Sequence, residues 1–301
     1  MSLKTVIIIT GPTASGKTEL AMELARHFKT SIISADSRQC FRELNIGVAK
    51  PSPAQLEEIE HAFINSHSIK EEVNAAVFES LAMTHCDQVF STRDTIIMSG
   101  GTGLYIKAFC EGLDEIPLID EKIRKKIRDA YEEHGMVWLN ELIQKEDPLF
   151  YSSGEKANPQ RMMRALEVIQ STGRSIISFR NRQNKQRAFR ILQFGISLPR
   201  NELYKRINDR VDVMMDQGLL DEVVSLLPFQ HLNALQTVGY SELFDYLQGK
   251  YRLTEAVSMI KQNTRHYAKR QITWMNKNQD LMWLENDFLN KIRTVYSATK
   301  S

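Results

Sequence analysis

Between Lys4 and Thr10 the chain carries four consecutive β-branched residues, Val6 to Ile9, flanked by polar positions. This pattern predicts a short buried strand. A helix-forming run follows from Lys17 to Phe28, then a second short strand from Ser31 to Ser34, an amphipathic helix from Val73 to Phe90 and an apolar strand from Thr95 to Ser99. Strand alternating with helix is the pattern of an α/β fold whose parallel sheet is covered on both faces. From about Gly112 to Arg187 only helical periodicity remains, over Glu121 to His134, Met136 to Gln144 and Gln160 to Thr172, broken at Pro117, Gly135, Pro148 and Pro159. Phe189 to Leu198 then restores a strand pattern. The expected organisation is an α/β core, residues 1–112, interrupted by an all-helical insertion, 113–187, and completed by 188–301.

The C-terminal third is predicted to be helical, with Asp280 to Glu285 as a final strand. Leu203, Ile207, Val211 and Met214 form one apolar stripe, and Arg206 and Arg210 a separate pair four residues apart. In Leu253 to Asn276 the apolar positions Val257, Ile260, Ala268, Ile272 and Met275 stand opposite Lys261, Arg265 and Lys269.

Charge changes this picture only when it is counted by segment. The whole chain of 301 residues has a net charge of +2, and 42% hydrophobic with 25% charged residues describes an ordinary globular protein. Residues 111–121 carry five acids and no base, whereas residues 155–190 carry nine bases against two acids, and 251–280 six against two with Tyr251, Tyr267 and Trp274 interleaved. Two basic tracts with aromatics point to a polyanion-binding surface. Cys40, Cys86 and Cys110 lie far apart without metal-ligand spacing, which suits a reducing cytoplasm and argues against structural zinc. Val6 to Ile9 is too short for a membrane span or a signal sequence, so a cytoplasmic protein without membrane attachment is expected.

Gly11-Pro12-Thr13-Ala14-Ser15-Gly16-Lys17-Thr18 matches the phosphate loop G-x-x-x-x-G-K-[ST], in its required place between strand and helix. Its backbone amides converge on phosphate oxygens at the positive end of the helix. Lys17 is expected to reach the terminal phosphate and the Thr18 hydroxyl to ligate Mg2+. A Walker-B acid is missing, because Thr95 to Met98 runs into Ser99-Gly100-Gly101-Thr102-Gly103. The nearest carboxylate at a strand end is Asp36, which with Thr102 should face the phosphate loop. Taken alone, Asp36 has a second, less favoured reading as a helix cap or a loop turn.

The segments GPTASGKT, ISADSRQ with NIGVAKP, SGGTGLY, NPQRMMRALEV, YKRINDRVDVMMDQGLLDEV, TVGYSELFDYLQG and TRHYAKRQITW run from residue 11 to residue 274. In that order the chain resembles the bacterial-type tRNA dimethylallyltransferase family. The resemblance implies transfer of a dimethylallyl group from dimethylallyl diphosphate to the exocyclic amine of the adenosine just 3′ of the anticodon. It implies Asp36 as the proton acceptor, with the phosphate loop, Lys17, Mg2+ at Thr18, Thr102 and Arg206 stabilising the diphosphate. It further implies tRNA contacts from Asp36, Ser37, Arg38, Gln39 and Thr102 around the target base. Arg124 and the run Gln160, Arg161, Met162, Met163 and Arg164 would contact the anticodon stem-loop, although the two methionines by themselves read more naturally as core. Gly239, Tyr240, Lys269, Arg270, Gln271 and Trp274 complete the implied set. The chain departs from the family pattern at Cys40, Phe41, Asn45 and Val48 and over Ser152 to Ala157. A monomer is expected. A small-metabolite P-loop kinase, an adenylate prenyltransferase and a non-catalytic RNA-binding module are the competing readings.

Overall fold

The structure, a computed structural model, describes residues 3–155, 158–180, 185–284 and 287–300. Lys156, Ala157, Arg182 and Glu285, which figure in the basic tract, the altered approach to the NPQR segment and the last predicted strand, lie outside the described residues. The strands are β1 (Thr5–Thr10), β2 (Ile32–Ala35), β3 (His61–Ala62), β4 (Thr95–Gly100), β5 (Arg190–Ile196) and β6 (Leu281–Leu284). They form one sheet in the order β3-β2-β4-β1-β5-β6, and every neighbouring pair is parallel. All six residues of β1 are buried, as its unbroken apolar run requires at the centre of a sheet covered on both faces.

The first part of the core adds α1 (Lys17–Phe28), α2 (Pro53–Glu58), α3 (Ala75–Phe90) and α4 (Gly103–Glu111). The helix expected from Val73 starts two residues later because the Asn74 side chain caps it, accepting from the N–H groups of Ala76 and Val77 at 3.0 and 3.1 Å. β3 and α2 carry no periodicity long enough to announce them. β3 is only two residues long, and it exists because Ile32 and Ile33 of β2 offer it a free edge.

Residues 112–185 form a compact unit of their own, with α5 (Glu121–Glu146), α6 (Pro148–Ser152) and α7 (Pro159–Thr172). Within α5 the expected break appears at Gly135, whose φ of 72° and ψ of −160° leave the helical region. This unit has its own core, in which Ile127, Leu139, Ile143, Phe150, Met162 and Leu166 meet.

The second part of the core comprises α8 (Arg200–Asp216), α9 (Leu219–Ser225), α10 (Tyr240–Leu247), α11 (Leu253–Met275) and α12 (Phe288–Lys300). One cluster joins β1, α1, β4 and β5 through Ile7, Ile9, Leu20, Leu24, Ile97 and Phe194. A smaller one joins Ala14 of the phosphate loop to Leu203 and Ile207 of α8 and Ala268 of α11. That second cluster bears on the site, since it sets two long helices directly over the loop. Among the described residues no helix is long and apolar enough to cross a membrane.

Candidate active site

Sheet register brings three loops to one edge. Thr10 of β1 pairs with Gly100 of β4, which pairs in turn with Ala35 of β2. The phosphate loop, the segment from Gly101 and the segment from Asp36 therefore leave from neighbouring strand ends, where ligands bind in open α/β sheets. The approach depends on Gly100, because a Cβ there would stand 2.2 Å from the Ala35 carbonyl oxygen. Thr102 donates its backbone N–H to that oxygen at 3.1 Å, and its Oγ1 accepts from the Ser37 N–H, also at 3.1 Å.

Asp36 serves the turn and still faces the cleft. Its Oδ1 accepts from the N–H groups of Arg38 at 2.9 Å and Gln39 at 3.3 Å, so the loop-cap reading of this residue is realised. Both bonds fall on the same oxygen; Oδ2 takes part in neither, and the residue lines the cleft with Lys17, Thr18, Ser34 and Ser99.

In the phosphate loop Gly16 precedes α1 in a left-handed conformation with no side-chain cap, so the first N–H groups of the helix are left open for an anion. The Ser15 hydroxyl is buried without a hydrogen-bond partner. Lys17 folds back to donate to the Pro12 carbonyl at 3.1 Å. Burial pushes its pKa down to about 8, against the raising effect of Asp36 and with a further lowering by Arg210. The Thr13 N–H is already engaged, donating to Oε1 of Gln271 at 2.9 Å.

Arg206 and Arg210, on successive turns of α8, have different fates. Arg206 is half exposed at the rim of the loop and donates to Glu202 at 2.7 Å. Its Nη1 lies 3.9 Å from where a Cβ on Gly16 would be. Arg210 enters the cleft, reaching Thr13 Oγ1 at 3.4 Å, and burial lowers its pKa. A guanidinium stays charged at neutral pH even so. Sequence spacing marks Arg210 only as half of a pair and Tyr267 only as an aromatic in a basic tract. Tyr267 hydrogen-bonds the Thr102 side chain and, through burial and then the nearby Asp36 charge, has its pKa pushed up to about 12. A signal for both existed: Ile260, Thr264, Tyr267 and Gln271 follow helical spacing along α11, and all four line the cleft.

Five residues expected to touch tRNA have side chains that are buried or engaged within the protein. Met162 and Met163 are 0% and 7% exposed in the core of the helical unit, where burying such a side chain is worth about 1.5–3 kcal/mol, a gain that turning it toward an RNA would forfeit. Tyr240 is fully buried, and its hydroxyl donates to Glu222 at 2.6 Å. Gln271 is also buried, its amide spanning Thr13 and the Gly101 carbonyl, to which Nε2 donates at 3.0 Å. Gln39 lines the cleft with a side-chain amide that is already occupied: Nε2 donates to the carbonyls of Val48 and Ala49, and Oε1 accepts from the Ser34 hydroxyl.

The remaining expected contacts are more open. Gln160 and Arg161 are exposed on the first turn of α7, as are Lys269 and Arg270 on α11. Arg164 and Arg124 both approach Glu167, at 2.9 and 3.7 Å, while Arg161 and Arg180 share Glu155 at 3.2 and 2.7 Å. The two acids of that basic tract are thus each held by two arginines. Arg38 donates from its side chain to the Asn233 carbonyl at 3.0 Å, and Gly239 lines the cleft. Trp274 lies so close to Gly103 that a Cβ there would be 2.4 Å from its ring.

Beyond the polar end the cleft is bounded by Val211 and Met214 of α8, Leu219 of α9, Val238 just before α10 and Ile260 of α11. A cavity with a cationic, amide-rich end and an aliphatic wall suits an amphipathic ligand: a phosphate ester or diphosphate carrying a short hydrocarbon.

A family model described as IPP transferase matches residues 39–278. The chain is 42% identical over 283 residues to tRNA dimethylallyltransferase 1 of Phocaeicola vulgatus, covering 94% of each protein, and 43% identical over 295 residues to tRNA dimethylallyltransferase 1 of Bacteroides thetaiotaomicron, covering 97% of this chain and 96% of that one. Among solved structures, the full-length tRNA isopentenylpyrophosphate transferase of Bacillus halodurans superposes with a TM-score of 0.72 at 32% identity, covering 99% of this chain and 96% of its own. A eukaryotic dimethylallyltransferase described as acting on tRNA superposes with a TM-score of 0.81 at 26% identity, over 99% of this chain and 77% of its own. With a family match over most of its length and relatives above 40% identity end to end, the chain belongs to the IPP transferase family of tRNA-modifying enzymes.

Proposed function

We propose that this enzyme transfers a dimethylallyl group from dimethylallyl diphosphate to the exocyclic amine of the adenosine 3′ to the anticodon, with Asp36 as the proton acceptor. The observation that carries the site assignment is that Asp36, Lys17 and Arg210 line one cleft whose far wall is aliphatic. The diphosphate belongs on the phosphate loop and the five-carbon tail against Val211, Met214 and Ile260. As the allylic carbon–oxygen bond breaks, both its electrons leave with the diphosphate, where Lys17, Arg210 and the open N–H groups of α1 meet the developing charge. The amine lone pair forms the new carbon–nitrogen bond, and the proton lost from nitrogen passes to Oδ2 of Asp36. A carboxylate is too weak a base to deprotonate the amine beforehand, so the proton moves as positive charge develops on nitrogen. The base must leave its stack to reach this point.

The residues present fit a Mg2+ ion only as a companion of the substrate. Thr18 offers one hydroxyl beside the loop, and among the described residues no cluster of three or more acidic, His or Cys side chains stands ready to hold a metal. Such a donor set matches an ion bound mainly through phosphate oxygens and water, and it would supply charge neutralisation on the leaving diphosphate.

Purified protein with Mg2+, dimethylallyl diphosphate and an anticodon stem-loop RNA is expected to yield dimethylallyladenosine on nucleoside analysis. Consumption of ATP without RNA, and no prenylated nucleoside, would establish the kinase reading instead. A second expected result concerns Lys17. Its free pKa of about 8 must rise when a diphosphate binds, so binding takes up a proton above that pH and none well below it. The Lys17 contribution to diphosphate affinity is therefore flat well below pH 8 and falls by up to about tenfold per pH unit above it. Calorimetry in buffers of differing ionisation enthalpy reads the proton directly; zero uptake at about pH 9 contradicts the assignment.

A further inference from the structure

The wall of the cleft formed by residues 45–51 has no strand to pair with, yet Gly47, Val48, Ala49 and Pro51 line the cavity. Ala49 adopts a φ of 48°, a left-handed conformation that a non-glycine residue takes only when its surroundings impose it. The start of this loop is held by a side chain from α9. The Glu222 carboxylate accepts from the N–H groups of Asn45 at 3.1 Å and Ile46 at 2.8 Å on Oε2, and from Gly47 at 3.2 Å on Oε1. Oε1 also accepts from the Tyr240 hydroxyl at 2.6 Å. Three successive N–H groups converging on one anion form a nest, and charge-assisted bonds of this kind are roughly twice as strong as neutral ones.

The other side of the same loop holds the catalytic segment. The Val48 and Ala49 carbonyls accept from Gln39 Nε2 at 3.2 and 3.1 Å, and the Gln39 backbone N–H donates to Oδ1 of Asp36 at 3.3 Å. Hydrogen bonds, joined by the covalent links from Gly47 to Val48 and within Gln39, therefore connect Glu222 to the carboxylate that faces the cleft. Every contribution of the loop is a backbone group, so the altered side chains at Asn45 and Val48 leave the chain of bonds intact.

We infer that Glu222 is a positioning residue for the transfer step, fixing the rotation of the Asp36 carboxylate through the loop at residues 45–49; this rests on the reading of Asp36 as proton acceptor. The test is single-turnover transfer by Glu222→Ala and Glu222→Gln, at saturating dimethylallyl diphosphate and stem-loop RNA, beside the wild-type enzyme. Misplacing a reacting group by about an ångström costs on the order of 10²-fold, so the rate constant is expected to fall about 10- to 100-fold in Glu222→Ala and less in Glu222→Gln, which keeps one acceptor oxygen. Dissociation constants for the diphosphate and the RNA are expected to stay within about twofold, because neither ligand is held by Glu222. Partial unfolding lowers the amplitude of the turnover and leaves its rate constant alone, so the two effects separate. If the alanine variant does not fold, the glutamine variant, which preserves side-chain volume, decides. Unchanged rate constants in folded variants overturn the assignment of Glu222, whereas a wild-type enzyme that transfers nothing overturns the functional reading beneath it.

Discussion

Asp36→Asn is expected to lower the single-turnover rate of prenyl transfer by about 10²- to 10⁴-fold, the range that a positioned proton acceptor contributes, while tRNA affinity stays within a few-fold. Asparagine is the sharper substitution because of what Oδ1 does in the structure. That oxygen holds the N–H groups of Arg38 and Gln39, and an amide oxygen can continue to hold them. Asp36→Ala removes those bonds as well as the base, so its additional loss over asparagine measures the turn rather than the chemistry. An Asp36→Asn enzyme with an unchanged single-turnover rate would show that the proton goes elsewhere, and Tyr267, hydrogen-bonded to Thr102 in the same cleft, would be the next group to examine.

Lys17→Met is expected to lower the rate constant by about 10²- to 10³-fold, as loss of a preorganised charge at a developing anion does elsewhere, and to weaken diphosphate binding as well. The same substitution abolishes the proton uptake expected above pH 8. The arginines rank behind it by position. Arg210, buried beside Thr13, is expected to cost more on removal than Arg206, which is half exposed and already paired with Glu202. Rates measured with saturating diphosphate separate transition-state loss from ground-state binding. An Arg206→Ala enzyme more impaired than Arg210→Ala would reverse that order.

Legibility of the site in the sequence varied with how local each constraint was. The phosphate loop is specified by consecutive residues, and Asp36 by a strand end, so both could be located by spacing alone. Gln271, Tyr240 and Gln39 could not be interpreted that way. Each belongs to a segment resembling a tRNA-contacting block, yet each directs its polar atoms toward the protein: Gln271 to Thr13 and Gly101, Tyr240 to Glu222, Gln39 to Ser34 and residues 48–49. A sequence identifies a side chain as a donor or acceptor but is silent on which group, in the next turn or far along the chain, satisfies it. Met162 and Met163 were ambiguous for a simpler reason, since apolar residues in a basic helix fit either a core or a stacking surface until the opposite helix is in place.

By itself, then, the chain determined the α/β alternation, the helical insertion, the phosphate loop and the family, because periodicity and contiguous motifs are local properties that survive without a partner. Tertiary structure decided the rest. Parallel pairing of β1, β4 and β2 placed Lys17, Thr102 and Asp36 at one edge, and the glycine at position 100 let those strands' ends come close enough to share a cleft. Helix packing over the loop chose Arg210 over Arg206 as the arginine inside the cleft, although the two stand four residues apart on the same helix. The carboxylate of Glu222, more than 170 residues from the loop it holds, acquired its four donors only when α9, α10 and the loop at residues 45–47 met.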